Sequence, residues 1–385
     1  MRGLYSLFLL VLLCAPWYQQ TWPVMETMPL HGDYGDTEPV DLTWENWCSG
    51  EFQTSYDKWH RQHFGFSTTM VRVRNQVDYS LYGKVHAKEI VVGKEEYLFA
   101  EPYLDAWAGT NALSEKDVRK MAGKLLDMQN RLKKRGKTLV IVLAPGKPSF
   151  FPEFVPQRYV DIRKPTNNSK LMSAVFREVG INLLDFNHDF IAQKNHAPFP
   201  LFGKTGIHWS NYGALLSLQK FVAFVEQVRG TDLPDFQLRD VRLSKELMDP
   251  DGDLGELINL YFPIAHAEMA IVDGAWEPSE GHETLRLTAF FDSFFYPWLN
   301  SGIEACFRDV HGFYYDSEPS HTTENDPDGN PWNSFSTKEA AVKSVDHSDV
   351  ILFLATEQNY GWLGFGYLDI IHDHLIRQDA GSSRP

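Results

Sequence analysis

The sequence is poor in cysteine, in positive charge and in long apolar runs. Three cysteines in 385 residues exclude a scaffold built on disulfides, and Cys14, Cys48 and Cys306 form no spaced motif of the kind that ligates zinc. The histidines add no metal signature either, since His282, His311 and His321 are scattered. The acidic run Asp249-Pro-Asp-Gly-Asp253 lacks the twelve-residue ligand pattern and terminal glutamate of a calcium loop. Neither a metal nor a cofactor is expected. Lys and Arg number 36 against 51 Asp and Glu, and the formal net charge of -15 repels nucleic acid and anionic lipid at long range. No nucleic-acid partner is expected. The apolar run within Met1–Trp17 follows a basic residue and is short for a bilayer span, so residues 1–20 read as an export signal peptide or an uncleaved signal anchor. Lipidation at Cys14 fits less well, because Leu12 and Leu13 stand where small residues belong. Cys48 and Cys306 either pair in an oxidising compartment or stay apart as thiols.

What the chain does have is apolar residues, 43% of the total, enough for a sizeable core. Aromatic residues make up 14%, with 11 Trp and 16 Tyr, which suits stacking on sugar rings and equally suits a large aromatic core. Residues 21–70 show no clear periodicity and read as an irregular lead-in to a domain spanning 71–378. Short β-branched runs between Val71 and Phe99 predict strands, among them Glu89-Ile-Val-Val92 and Tyr97-Leu-Phe99. Ser114 then caps a helix marked by Val118, Met121, Leu125 and Leu132 and stopped at Gly136. The continuous run Thr138-Leu-Val-Ile-Val-Leu-Ala144 has the pattern of a strand covered on both faces.

Alternation continues from there. Helices are predicted over Ser169–Val179, Asn211–Val228 and Phe365–Ile376, and strands over Asn182–Asp185, Thr284–Phe291 and Asp349–Ala355. The stretch Asp316–Trp332, rich in Pro, Asp and Asn, reads as a surface loop. This order predicts an α/β fold, a mainly parallel sheet flanked by helices, with its chemistry beyond the carboxyl ends of the strands.

Two segments place reactive groups at that rim. In Leu201-Phe-Gly-Lys-Thr-Gly-Ile-His-Trp-Ser-Asn-Tyr-Gly213, His208 and Trp209 lie between glycines just before a helix capped by Ser210, so the imidazole is held by backbone yet open to a cleft. The strand ending at Phe291 runs directly into Asp292-Ser293-Phe294-Phe295. A serine on such a turn has an exposed hydroxyl close to free backbone N–H groups, as an acyl-transfer nucleophile requires. Lys147, in a Pro-Gly-Lys-Pro turn, is either solvated or set against a substrate carboxylate. Glu357 and Asn359, after the last strand, either meet substrate or satisfy loop backbone.

These segments together resemble the alginate O-acetyltransferase AlgX/AlgJ group of SGNH-hydrolase-like proteins, over about Val71 to Leu375. The stretches that carry the resemblance are Val91–Phe99, Val140–Pro148 with Phe151-Pro152, Lys204–Ser210, Asp251–Leu257, Phe291–Phe294 and Asp349–Asn359. The resemblance implies a three-layer SGNH sandwich. It also implies an exported periplasmic enzyme that receives acetyl groups through a membrane-bound O-acyltransferase, within a polysaccharide secretion complex, and places them on exopolysaccharide hydroxyls. Ser293 would be the nucleophile, His208 the general base, and Trp209 a further position near substrate.

One position departs from the family. An aspartate usually stands two residues before the histidine, and here that residue is Gly206. In a Ser-His-Asp triad, replacing the acid by its amide lowers turnover by about 10⁴. Three expectations follow: Asp185 or Asp292 reaches the imidazole, a Ser-His dyad suffices, or the chain binds polysaccharide without catalysis. A carbohydrate acetyl esterase with water as acceptor is the alternative within the same chemistry.

Overall fold

The computed structural model describes residues 2–32, 38–277, 285–315 and 337–382. The loop expected over Asp316–Trp332 lies outside them. The chain divides into a smaller unit, Met1–Val92 with Asp253–Ala265, and a larger one, Gly93–Gly252 with His266–Pro385.

The larger unit is built on a five-stranded parallel sheet. Its strands are β1 (Thr138–Ala144), β2 (Leu183–Asp185), β5 (Leu285–Phe291), β6 (Phe307–Tyr314) and β7 (Val350–Thr356), in the order β2-β1-β7-β5-β6. Between β2 and β5 in sequence, β3 (Asp235–Ser244) and β4 (Met269–Glu277) form a separate antiparallel ribbon, with a register shift between Arg239 and Arg242. Every residue of β1 and β7 is buried, as their unbroken apolar runs predict for strands covered on both faces.

Side chains alternate between two cores. On β1, Leu139, Ile141 and Leu143 join Ile351, Phe353 and Phe290 against the helices Glu115–Lys134, Asn168–Val179 and Tyr367–Ser382. Val140, Val142 and Ala144 face the opposite core with Leu352, Leu354 and the helix Asn211–Arg229. This is the expected α/β architecture, with helices on both faces of a parallel sheet.

The helices follow their predicted signals. Ser114 accepts the Asp117 N–H at 3.2 Å, the buried positions Val118, Ala122, Leu125, Met128 and Leu132 form one stripe, and three basic residues in the last turn complement the helix dipole. Ser210 accepts the Gly213 N–H at 3.0 Å, and Gly230, at φ 68°, ends the helix begun at Asn211. The ribbon β3-β4 and the strand β6 are absent from the sequence reading. The ribbon mixes polar and apolar side chains on half-covered strands, and β6 is an edge strand with Arg308 and Asp309 exposed, so no continuous apolar run announces them.

The smaller unit corrects two expectations. Helices over Trp44–Ser49 and Glu51–His63 stand where an irregular lead-in was read, and Phe52, Tyr56 and Trp59 on the second are spaced along one helical face. A helix over Ser67–Tyr82 occupies the start of the stretch from Val71 in which strands were expected, while short strands over Ile90–Val92 and Leu98–Ala100 stand where Glu89–Val92 and Tyr97–Phe99 predicted them. Its buried Arg72 donates to Leu260 O at 2.9 Å and its buried Asn75 to Ile258 O at 3.1 Å, holding the returning segment within this unit. Residues Arg2–Thr21 form a helix with Pro16 inside it. Among the described residues no helix is long and apolar enough to cross a membrane, so the anchor expected as one fate of this segment has no support here. All three cysteines are free thiols: Cys14 and Cys48 are exposed, and burial pushes the Cys306 thiol up to about 12.

Trp298 joins the start of the Asn211–Arg229 helix to the segment after β5. Its fully buried indole donates to Ala214 O at 2.9 Å and Ser217 Oγ at 3.1 Å, and it stacks on Phe221 with centroids 5.0 Å apart. Trp298→Ala is expected to lower stability by about 3–5 kcal/mol, the range for emptying a large aromatic site, read as a lower urea midpoint.

Candidate active site

The carboxyl ends of three adjacent strands, β1, β7 and β5, carry Lys147, Glu357 with Asn359, and Ser293. Asp292 shapes the last of them. It is 1% exposed, and its carboxylate accepts the Phe294 N–H at 3.3 Å, the Thr356 N–H at 2.7 Å and the Asn359 amide at 2.9 Å. Burial pushes this carboxyl above its usual range, against the donors that pull it down. Asp292 thus ties the ends of β5 and β7 together and caps the short turn Ser293–Phe295, leaving Ser293 half-exposed at the rim.

The histidine arrives on a loop that is pinned at several points. Phe202 and Trp209 pair across its base, and the Ser210 hydroxyl donates to Pro200 O at 2.7 Å. Trp209 is fully buried, 5.3 Å from the Phe294 ring and 5.9 Å from Trp298. Lys147 reaches beneath the same loop. Its ammonium donates to Lys204 O and Gly206 O, both at 2.7 Å, and lies over the rings of Phe99 and Tyr97 at 5.4 and 5.8 Å. At 1% exposure such a charge requires carbonyl and aromatic partners, and it has both. The outcome is a short contact between His208 Nε2 and Ser293 Oγ, 2.8 Å, across 85 residues of sequence.

A cavity of about 320 Å³ opens over this pair. Asn211, Asp249 and Pro250 line it beside His208; Tyr296, Pro297, Asn300 and Ser301 line it beside Ser293; and Phe236, Val272, Asp273 and Gly274 form the wall contributed by the β3-β4 ribbon. The volume lies at the small end of ligand clefts, which run roughly 300–1,000 Å³.

Residues 90–265 match the family model described as SGNH hydrolase-like domain, acetyltransferase AlgX. Over those residues the chain is similar to AlgX-type SGNH hydrolase-like domains. Among solved structures, the O-acetyltransferase domain of Pseudomonas putida AlgJ is 14% identical, with 71% of this chain and 92% of that one covered at a TM-score of 0.43. Pseudomonas aeruginosa AlgX is 16% identical, with 73% and 67% covered at 0.44, and Bacillus cereus PatB1 is 12% identical, with 72% and 99% covered at 0.41. No curated protein matches the chain by sequence.

The structure brings His208 and Ser293 together and assigns the other expected residues to supporting positions. Lys147 is not solvated but buried under the histidine loop. Trp209 is in the core and does not line the cavity. Glu357 is 1% exposed and accepts the Ser149 hydroxyl at 2.7 Å, and Asn359 is held by Asp292. The two expected orienting acids are engaged elsewhere. Asp185 caps the following helix through the His188 N–H at 3.0 Å and binds Ser173 and Arg177. Asp292 holds strand ends, as described above.

Asp251 is the residue the sequence reading missed. A Cβ on Gly206 would fall 2.6 Å from Asp251 O and 2.9 Å from Pro250 O, and one on Gly203 would fall 2.3 Å from Asp251 O. The chain at 250–251 therefore lies across the histidine loop and fills the space in which an aspartate at 206 would begin. The Asp251 carboxylate, on a residue 1% exposed, accepts the Asn211 N–H at 3.0 Å, three residues beyond the histidine. The available signal was Asp251-Gly-Asp-Leu-Gly-Glu-Leu257, a stretch that carried the resemblance and whose acidic start was weighed only against a calcium loop.

Two outcomes follow. Lys147→Met strands two carbonyls at about 1–3 kcal/mol each, so stability is expected to fall by roughly 2–6 kcal/mol, with faster amide exchange concentrated in residues 203–209. Burial pushes Glu357 up to about 7, against its hydrogen bond from Ser149. The folded state then keeps a proton that the unfolded chain releases at lower pH, so this group costs stability as pH rises from the ordinary glutamate range through about 7. Glu357→Gln removes that cost. Its stability relative to the parent is expected to rise between pH 5 and 8, by on the order of 3 kcal/mol, in urea titrations at each pH.

Proposed function

We propose that this chain is an exported O-acetyltransferase that carries acetyl groups through Ser293 onto hydroxyls of a polysaccharide. The observation that carries the reading is the 2.8 Å contact between His208 Nε2 and Ser293 Oγ at the mouth of a cavity. The AlgX-type family match supports the reaction class. A module that only binds glycan has no need of an imidazole set on a serine hydroxyl.

The chemistry runs in two halves. His208 Nε2 takes the Ser293 proton as Oγ bonds to the acetyl carbonyl carbon, and the oxyanion that forms lies next to the turn beginning at Ser293. The first N–H groups of such a turn have no acceptor within it, and the Ser293 N–H is the donor we assign to the oxyanion. Collapse breaks the bond to the donor's leaving group, which takes the proton from Nε2 and leaves acetyl-Ser293. A sugar hydroxyl then enters, gives its proton to Nε2 and bonds to the acetyl carbon. Ser293 Oγ departs and recovers the proton. Transfer competes with water through positioning, since well-oriented reactants reach effective concentrations on the order of 10⁵ M or more.

We assign to Asp251 the orienting charge that Gly206 cannot provide. Its backbone packs against position 206 and its carboxylate binds position 211, so it brackets His208 on both sides. The acetyl donor in this reading is a membrane-bound O-acyltransferase acting with a secretion complex in the periplasm.

Brief exposure to an activated acetyl ester is expected to add one acetyl mass, mapped to Ser293, and none in Ser293→Ala or His208→Ala. Asp251→Asn is expected to slow adduct formation by roughly 10²–10⁴, by analogy with loss of a triad acid. Absence of the adduct in the folded parent protein would overturn the reading.

A further inference from the structure

The lining of the cavity carries information about the acceptor. Asp249 and Asp273, both exposed at its edge, are the only residues among the described lining with a permanent charge, and no lysine or arginine lines it. Asp249 belongs to the chain that follows β3 and Asp273 to β4, so both carboxylates line the same cavity as Ser293. The rest of the lining offers Asn211, Asn300 and Ser301 as hydrogen-bonding groups and Phe236, Tyr296, Pro250 and Pro297 as apolar faces. Lys147 does not offset the acidic pair, since its ammonium is buried beneath the loop and bound to carbonyls. On the ribbon, Arg239 stands in register with Asp273 but pairs its guanidinium with Glu277 on the same neighbouring strand, and neither it nor Arg242 lines the cavity. The net charge of -15 adds a long-range field of the same sign.

We propose that the residue acetylated at this site carries no carboxylate: the acceptor is a polymer of neutral hexoses or of amino sugars, and not a polyuronate. The inference rests on the acetyltransfer reading but concerns a separate property, the charge that the cavity accepts. A uronate placed at Ser293 would set its own carboxylate beside Asp249 and Asp273 with no cation in the lining to receive it, whereas a neutral ring meets amides, hydroxyls and ring faces. A protonated amine would meet two counter-charges.

The test separates binding from chemistry. Ser293→Ala protein, which holds the cavity without the nucleophile, is titrated with β-1,4-linked oligomers of equal length built from glucose, glucosamine or a uronic acid, at low and at 0.5 M salt. The expected result is binding of the glucose and glucosamine oligomers at least roughly tenfold tighter than the uronate oligomer at low salt, with the gap narrowing at high salt. The double change Asp249→Asn with Asp273→Asn is expected to narrow the same gap without salt, and to weaken glucosamine more than glucose. Uronate binding equal to or tighter than glucose binding in the Ser293→Ala protein would overturn the proposal, as would a preference unmoved by the double change. Acetyl-Ser293 formation in the parent protein is measured separately. Its absence would count against the transfer reading, while the oligomer titration would still decide the charge preference.

Discussion

A single buried ammonium holds the histidine in place. Lys147 leaves the end of the central strand β1, donates to the carbonyls of residues 204 and 206, and so fixes the height of the loop on which His208 sits. Taking such a charge out of water costs several kcal/mol unless its hydrogen bonds are made, and both the carbonyl partners and the faces of Phe99 and Tyr97 offset that cost. Asp292 does the corresponding work for Ser293, tying the ends of β5 and β7 and capping the turn on which it sits. His208 and Ser293 therefore each rest on one buried ionisable residue, and the two meet at 2.8 Å.

The departure at position 206 has a steric reading. Gly203 and Gly206 are required because the backbone of 250–251 crosses them closer than any Cβ allows. An aspartate at 206 and this path for residues 250–251 exclude each other. The same crossing delivers Asp251 to the base of the histidine loop, so the feature that removes one acid supplies another nearby.

Much of the sheet was legible because its strands are continuous apolar runs and its helices carry caps and stripes. Thr138–Ala144, the Ser114 cap and the Ser210 cap all fall where the pattern places them. His208 and Ser293 were legible from their position at strand and helix ends. Lys147 and Trp209 were misread, because a lysine between prolines and a tryptophan beside a histidine look like surface and ligand residues until the core is seen around them. Asp251 was hidden for a different reason: its proximity to Gly206 is a backbone packing relation across 45 positions, with no local pattern to announce it. The ribbon that walls the cavity was missed because a half-covered strand with a register shift has no sustained alternation.

Whether His208 acts as the base depends on which nitrogen carries the proton. A ¹⁵N spectrum of the ring in the resting protein, assigned by its loss in His208→Ala, measures this directly. The account predicts a neutral ring with Nε2 bare, accepting from Ser293, and Nδ1 protonated, with that preference weakened in Asp251→Asn. A resting ring with the proton on Nε2 and Nδ1 bare would contradict it, since the nitrogen facing Ser293 would then have no lone pair with which to take the proton.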